Sequence, residues 1–196
     1  IGPMKPLRDK FDGQRAIINR RALAETIDTI IAEHDGSDAR PAIRTLLQKA
    51  LADGRAEIAS RLEAEPTEGH RRAAEQAHLI DQLIRLIYDY VTGHLHPIGN
   101  ASRSERLSLH AVGGYGRGEM ASHSDVDLAF ITPYKRTGWT EQVVEAVLYL
   151  LWDLGLKVGH SSRSLDEMVK LARDDITIRT SLLEARFIWG DHALYD

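Results

Sequence analysis

The apolar positions of this chain change their period about half-way along. Before residue ~100 they recur at helical spacing; after it, short alternating runs interleave with helical ones. Residues 22–33 read as a short helix, and Asp35-Gly36-Ser37-Asp38 breaks it. Ile43, Leu47, Ala50, Gly54, Ile58 and Leu62 then step along one helical face, which must end before Pro66. A third helix is expected over 69–94, with Ile80, Leu83, Ile84, Ile87, Tyr90 and Val91 as its apolar positions. Pro97, Gly99 and Asn100 read as a linker.

In the second half, Leu107, Leu109 and Ala111 alternate with Ser108 and His110, so the spacing predicts a strand over 106–112. Gly113-Gly114 follows as a turn, with a short helix expected from Tyr115 or Gly116. A second strand is expected over 125–132 and a third over 156–162. Between them, 139–154 reads as an amphipathic helix carrying Val143, Val144, Val147, Leu148 and Leu151. Ser164 and Glu167 have capping-box spacing for the next helix. A last helix is expected over 176–188, stopped at Gly190.

These elements define an α+β protein: a helical N-terminal region (4–100) packed on a small mixed sheet (101–196). So few strands need helices on one face to be buried. Ile1-Gly2-Pro3 ahead of Met4 reads as the scar of a removed tag.

Composition narrows the field only at a few points. The 196 residues are 43% hydrophobic, enough for a real core in one or two small domains. There is no cysteine, hence no disulfide or thiolate chemistry, which fits a cytoplasmic setting. No apolar run is long enough to cross a bilayer, so no membrane is expected. The net charge is −4, and Arg20-Arg21, Arg71-Arg72 and Lys135-Arg136 are isolated pairs rather than a basic face. That weighs against long nucleic acid as a partner.

Candidate chemistry gathers between Ala111 and Ile131. Glycine at 113 and 114 permits positive φ and close approach of a phosphate to the backbone. Successive N–H groups there can form an anion-binding concavity, helped by the N-terminus of the short helix. Gly116 lies in the same string, and Arg117 is placed to pair with a phosphate oxygen. Asp125 and Asp127 stand at i and i+2 of a strand and therefore share a face, while Val126, Leu128 and Phe130 point to the other. Two carboxylates so close repel each other, and Mg²⁺ (or Mn²⁺), which takes one or two carboxylates plus substrate phosphates, is the natural compensation.

The order strand, Gly113-Gly114, short helix, Ser124-Asp125-Val126-Asp127 resembles the signature of the DNA polymerase β-type nucleotidyltransferase superfamily. Within it, Gly-Gly-Tyr-Gly-Arg-Gly-Glu (113–119) and His-Ser-Asp-Val-Asp-Leu (123–128) are similar to the bacterial PII-protein uridylyltransferase/uridylyl-removing enzymes. Residues 151–163 and 183–191 are similar to that family as well. The resemblance implies transfer of UMP from UTP to a tyrosine of the PII nitrogen-regulatory protein, with release of pyrophosphate. By position, it implies Asp125 and Asp127 as catalytic metal ligands and Gly113 and Gly114 against the triphosphate. Ser124 would order the turn or touch a phosphate. The superfamily adds a third carboxylate on a later strand. Here 156–162 offers none, and Glu184 on a later helix is one candidate; Asp174 and Asp175 read better as a helix cap. The family's enzymes are longer, with hydrolase and glutamine-sensing regions, so the chain reads as a fragment, and glutamine enters only through regions missing here.

Other readings were weighed on the same residues. Gly116-Arg-Gly118-Glu-Met-Ala121 fits a dinucleotide fingerprint, but the next strand begins only a few residues later, with no room for a βαβ unit. The nine histidines include His94-x-His96 but no His-Glu-x-x-His, and His34 and His123 read as a helix terminus and a turn residue. An adenylyltransferase of the same superfamily, and a nucleotide-binding fragment inactive without its missing regions, stay open.

Overall fold

Residues 13–34, 38–99, 106–191 and 194 are described by the computed structural model. The tag-like residues 1–3, most of the 35–38 break and Asn100 of the linker lie outside them. The described residues form an α+β fold of α-helices, one π-helical turn and a four-stranded mixed sheet.

Short helix α1 (Gln14–Ile17), not expected from the pattern, precedes α2 (Arg20–Glu33). Helix α2 starts where the Asn19 side chain accepts from the Ala22 amide, a standard N-cap. Next comes α3 (Arg40–Ala64), with Pro41 in its first turn, where a missing N–H costs nothing. Its buried face is Ile43, Leu47, Leu51, Gly54 and Ile58. Leu62 at its end is 42% exposed. The long third helix is shorter than expected: α4 runs Gly69–Tyr90 and gives way to a π-helical turn, Val91–Leu95.

Helix α4 is the hub of the molecule, buried almost continuously from Gln76 to Ile87. Its apolar side carries Leu79, Ile80, Leu83, Ile84 and Ile87. Several of its buried polar side chains reach other elements, as buried polar groups need partners. Gln82 accepts from Arg20 at 2.9 Å, Glu75 pairs with Arg61 and Arg72, Arg85 donates to the Ile188 carbonyl, and Asp81 receives Arg186.

In the sheet, β1 (Ser108–Ala111) and β2 (Val126–Thr132) pair antiparallel, β2 and β3 (Val158–Ser164) pair parallel, and the order is β3-β2-β1-β4. The parallel pair is joined by α6 (Gly138–Asp153), capped by a Thr137–Thr140 box. Short α5 (Gly113–Arg117) links β1 to β2. Helix α7 (Leu165–Asp174) starts at the expected Ser164–Glu167 capping box. Asp175 caps α8 (Ile176–Leu183), accepting from Thr177 at 2.7 Å.

The expected helix over 176–188 is corrected. It stops at Leu183, and 186–190 form a fourth strand, β4 (Arg186–Gly190), antiparallel to β1. Helical periodicity was extended through a segment whose Phe187-Ile188-Trp189 run favours an extended, paired backbone. The fourth strand also changes β1. It is central rather than an edge, and Ser108 and His110 are as buried as Leu109.

The two sheet faces differ in chemistry. Leu109, Ala111, Val126, Leu128 and Phe130 join Ile80, Leu83, Ile84 and Ile87 of α4 and Val143, Val147 and Leu151 of α6 in one hydrophobic cluster. The cross-strand register places Asp127, Ala129 and Ile131 on the opposite face with His110, Ser108, Gly159 and Ser161.

His78, on α4, gives this core an acid sensitivity. Burial first, helped by the Arg85 and Arg186 charges and opposed by Asp81, holds its imidazole below the ordinary value of 6.5. A histidine that binds its proton less readily when folded makes protonation favour unfolding. Its contribution is intact above the unfolded value and is lost as pH falls through it. His78→Gln should therefore flatten the loss of stability between about pH 7 and pH 5. Equal slopes of urea midpoint against pH in both proteins would contradict this.

Candidate functional site

Strand pairing builds the site before any side chain acts. The Val112 amide donates to the Asp127 carbonyl at 3.0 Å, so the residue that follows β1 lies beside Asp127 of β2. Val112 is extended, and α5 begins at once with Gly113, two residues earlier than the pattern predicts. Gly113 has φ +60°, a conformation an L side chain rarely takes. A Cβ on it would lie 3.1 Å from Asp127 Oδ2. Val112 brings no side-chain cap to the first amides of α5. Helix-opening amides lack intrahelical partners and are satisfied by caps, water or ligands.

Asp127 projects into the space between this turn and β3. Its register partner on β3 is Gly159, where a Cβ would come within 2.8 Å of Asp127 Oδ1. The carboxylate thus lies between two glycines, one on each side. Burial first and the Asp125 charge second push Asp127 above the ordinary carboxylate range. Asp125, exposed just ahead of β2, is therefore within electrostatic reach.

Other residues singled out from the sequence occupy the rim of this arrangement. Ser124 orders the turn before β2: its hydroxyl accepts from the Ala121 amide at 2.9 Å, and its own amide donates to Ala121. At Gly114 a Cβ would meet only ordinary contacts, 3.4 Å from the Glu119 carbonyl being the nearest. Gly116 is a packing residue. Its amide donates to the Val112 carbonyl, and a Cβ would lie 2.7 Å from the Glu184 carbonyl and 2.8 Å from that of Ala111. Arg117 is held by two carboxylates, Glu119 and Glu184, each at 2.9 Å. Glu184, the candidate third ligand, thus sits across Arg117 at the end of α8. Among the described residues no group of three or more His, Asp and Glu is arranged to hold a metal, and the Glu184 carboxylate is engaged by Arg117.

The donor set still suits a hard cation. Both groups are carboxylates, their charges oppose each other, and Mg²⁺ accepts one or two carboxylates when phosphates fill its remaining positions. Positive charge between Asp125 and Asp127 would relieve the repulsion that raises Asp127.

Sequence reasoning missed the support behind the glycine turn. Tyr115 is fully buried and donates its hydroxyl to Asp81 Oδ1 at 2.5 Å. Burial, and then the Asp81 charge, push the phenol well above its ordinary range, so it stays a protonated donor. Arg186 completes the group by pairing with Asp81. The available signal was weak: a tyrosine between glycines, with partners 34 and 71 positions away.

Comparison with known proteins agrees with the motif. No family model matches the chain. The fold defines an α+β domain with a carboxylate pair beside a glycine turn, and curated relatives align with nearly all of its length. It is 60% identical over 187 residues to the bifunctional uridylyltransferase/uridylyl-removing enzyme of Novosphingobium aromaticivorans, covering 95% of this chain and 20% of the relative. The enzymes of the same name from Rhodospirillum rubrum and Azospirillum brasilense are 50% and 47% identical over 182 and 183 residues, or 92% and 93% of this chain. The chain therefore matches an N-terminal segment of the bifunctional uridylyltransferase/uridylyl-removing enzymes and spans about a fifth of the length of these relatives.

Gly159 gives the most direct test of this geometry. Its φ is not in the left-handed region, so alanine suits the strand and conflicts only with Asp127. If the aspartate pair holds a cation, Gly159→Ala should leave the melting temperature nearly unchanged while weakening Mn²⁺ binding in the presence of a nucleoside triphosphate about tenfold, since small displacements of a site group carry large effects. Wild-type Mn²⁺ affinity by calorimetry would show that Asp127 is not confined there.

Proposed function

We propose that this chain is the nucleotidyltransferase part of an enzyme that moves UMP from UTP to a tyrosine hydroxyl of the PII nitrogen-regulatory protein. The observation that carries the reading is Asp127, held between Gly113 and Gly159 beside an uncapped helix start and within reach of Asp125. The relatives' name supplies uridylyl as the transferred group. The resemblance of residues 113–128 supplies the protein acceptor.

In the proposed reaction the tyrosine hydroxyl gives up its proton to water as its oxygen forms a bond to the α-phosphorus of UTP. The bond from that phosphorus to the bridging oxygen breaks, and pyrophosphate leaves. Gly113 and Gly114 let the triphosphate approach the backbone, and the opening amides of α5 face negative charge. Asp125 and Asp127 would hold Mg²⁺, which when bound offsets charge on the phosphates and on the attacking and leaving oxygens. Ser124 fixes the approach to β2, so that both acids arrive in register. Positioning and electrostatics carry the rate, as in phosphoryl transfer generally. Glutamine response and uridylyl removal are assigned to the rest of the longer protein.

Two substitutions test the reading in the full-length protein. Asp125→Asn and Asp127→Asn should each lower UMP transfer to purified PII by at least about 10³-fold, the scale on which lost transition-state electrostatics acts, with melting temperature retained. Wild-type rates in either would overturn the assignment, and transfer from ATP but not UTP would move it to an adenylylating relative. Gly114→Val adds side-chain bulk where the fold has room for a Cβ. It should therefore weaken UTP–Mg²⁺ binding by about tenfold or more, read by titration, because a close backbone approach is blocked.

A further inference from the structure

The glycine turn is held from behind by a buried guanidinium. Arg186, on β4, pairs with Asp81 through two nitrogens. The same guanidinium donates to the Tyr115 carbonyl at 3.2 Å and to the Gly116 carbonyl at 3.3 Å. It also lies over the Tyr115 ring, 5.3 Å from the centroid. The Tyr115 hydroxyl closes the circuit on Asp81. The Arg186 and Asp81 side chains are 7% and 4% exposed.

Those two carbonyls belong to the closing turn of α5, the five-residue helix whose first residues are Gly113 and Gly114. A helix this short is not stable alone. Its C-terminal end is closed by the Gly118 amide on Tyr115 and the Glu119 amide on Gly114. Arg186 adds positive charge where a helix dipole favours it. Gly116 itself has no room for a Cβ, which would meet the Glu184 and Ala111 carbonyls. The helix is therefore clamped, and movement of its last turn would move its first.

We propose that Arg186, oriented by Asp81 and Tyr115, is a positioning residue for the nucleotide: it fixes the aim of the Gly113-Gly114 amides without touching the triphosphate. This rests on the nucleotide reading of the turn. Only a planar fork can serve Asp81 and two carbonyls together; a lysine ammonium keeps the charge but not that geometry. Arg186→Lys should therefore leave a folded protein whose turn is badly aimed. Tyr115→Phe removes one hydroxyl, keeps the Arg186–Asp81 pair, and should act in the same direction more weakly.

The test uses the full-length protein with UTP, Mg²⁺ and the protein acceptor. Arg186→Lys should raise KM for UTP by about tenfold and Tyr115→Phe by about threefold, with KM for the acceptor unchanged. Amide exchange of residues 112–118 should quicken in both variants, relative to 126–132. A lowered melting temperature with unchanged KM for UTP and unchanged exchange would reduce the cluster to a structural role and overturn the proposal. If Arg186→Lys does not fold, Tyr115→Phe decides by the same two readings. If the wild-type protein does not turn over UTP, the functional reading fails on its own, and the exchange data still decide whether Arg186 clamps the turn.

Discussion

The antiparallel ladder of β1 and β2, continued by the hydrogen bond from the Val112 amide to the Asp127 carbonyl, joins the strand that leads into the glycine turn to the strand that carries the acid. Everything at the candidate site follows from that register. A shift of one residue would send Asp127 into the hydrophobic cluster and Leu128 onto the polar face, because strand side chains alternate. The register is protected by burial. Val126, Leu128 and Phe130 are all essentially inaccessible on the other face, and their exposure would cost about 2 kcal/mol each. Hydrophobic burial on one side of β2 thus sets the position of a charged group on the other.

The second constraint is electrostatic. A buried ion pair such as Asp81–Arg186 adds little net stability, because desolvation offsets the attraction, yet removing one partner costs ~3–5 kcal/mol. What the pair supplies is direction. Asp81 comes from the central helix, Arg186 from the last strand, and the carbonyls they reach belong to the helix between β1 and β2. Three elements distant in sequence are brought to agree on where one short helix points. An apolar replacement of equal volume would fill the space without fixing that direction.

How far the sequence disclosed this depends on the range of the interactions. The helices over 20–33, 40–64 and 138–153 follow local rules of period and capping, and the first and last match the expected 22–33 and 139–154 to within two residues, while the middle one carries the expected face 43–62. Asp127 beside Gly113 was legible because the spacing from turn to strand is short and β1 and β2 are neighbours. The fourth strand was not legible, because 186–190 pairs with a strand almost 80 positions earlier and its local pattern also tolerates a helix. Gly159 was seen only as a position without an acid. Its place opposite Asp127 depends on a parallel pairing across α6. Arg186 carried no signal at all, since nothing local marks a buried arginine.

The absence of a third acid opposite Asp127 then has a physical sense. Gly159 occupies the partner position, and it leaves space that an aspartate or glutamate side chain would fill. A third carboxylate would add to the burial and the Asp125 charge that already raise Asp127. With two acids and a glycine, the proposed function leaves the remaining coordination of a cation to phosphate oxygens. Under the proposed function, cation and triphosphate therefore bind as one unit, each completing the site for the other. Affinity for the cation alone should be weak and should rise when UTP is present, because the nucleotide supplies ligands that the protein does not.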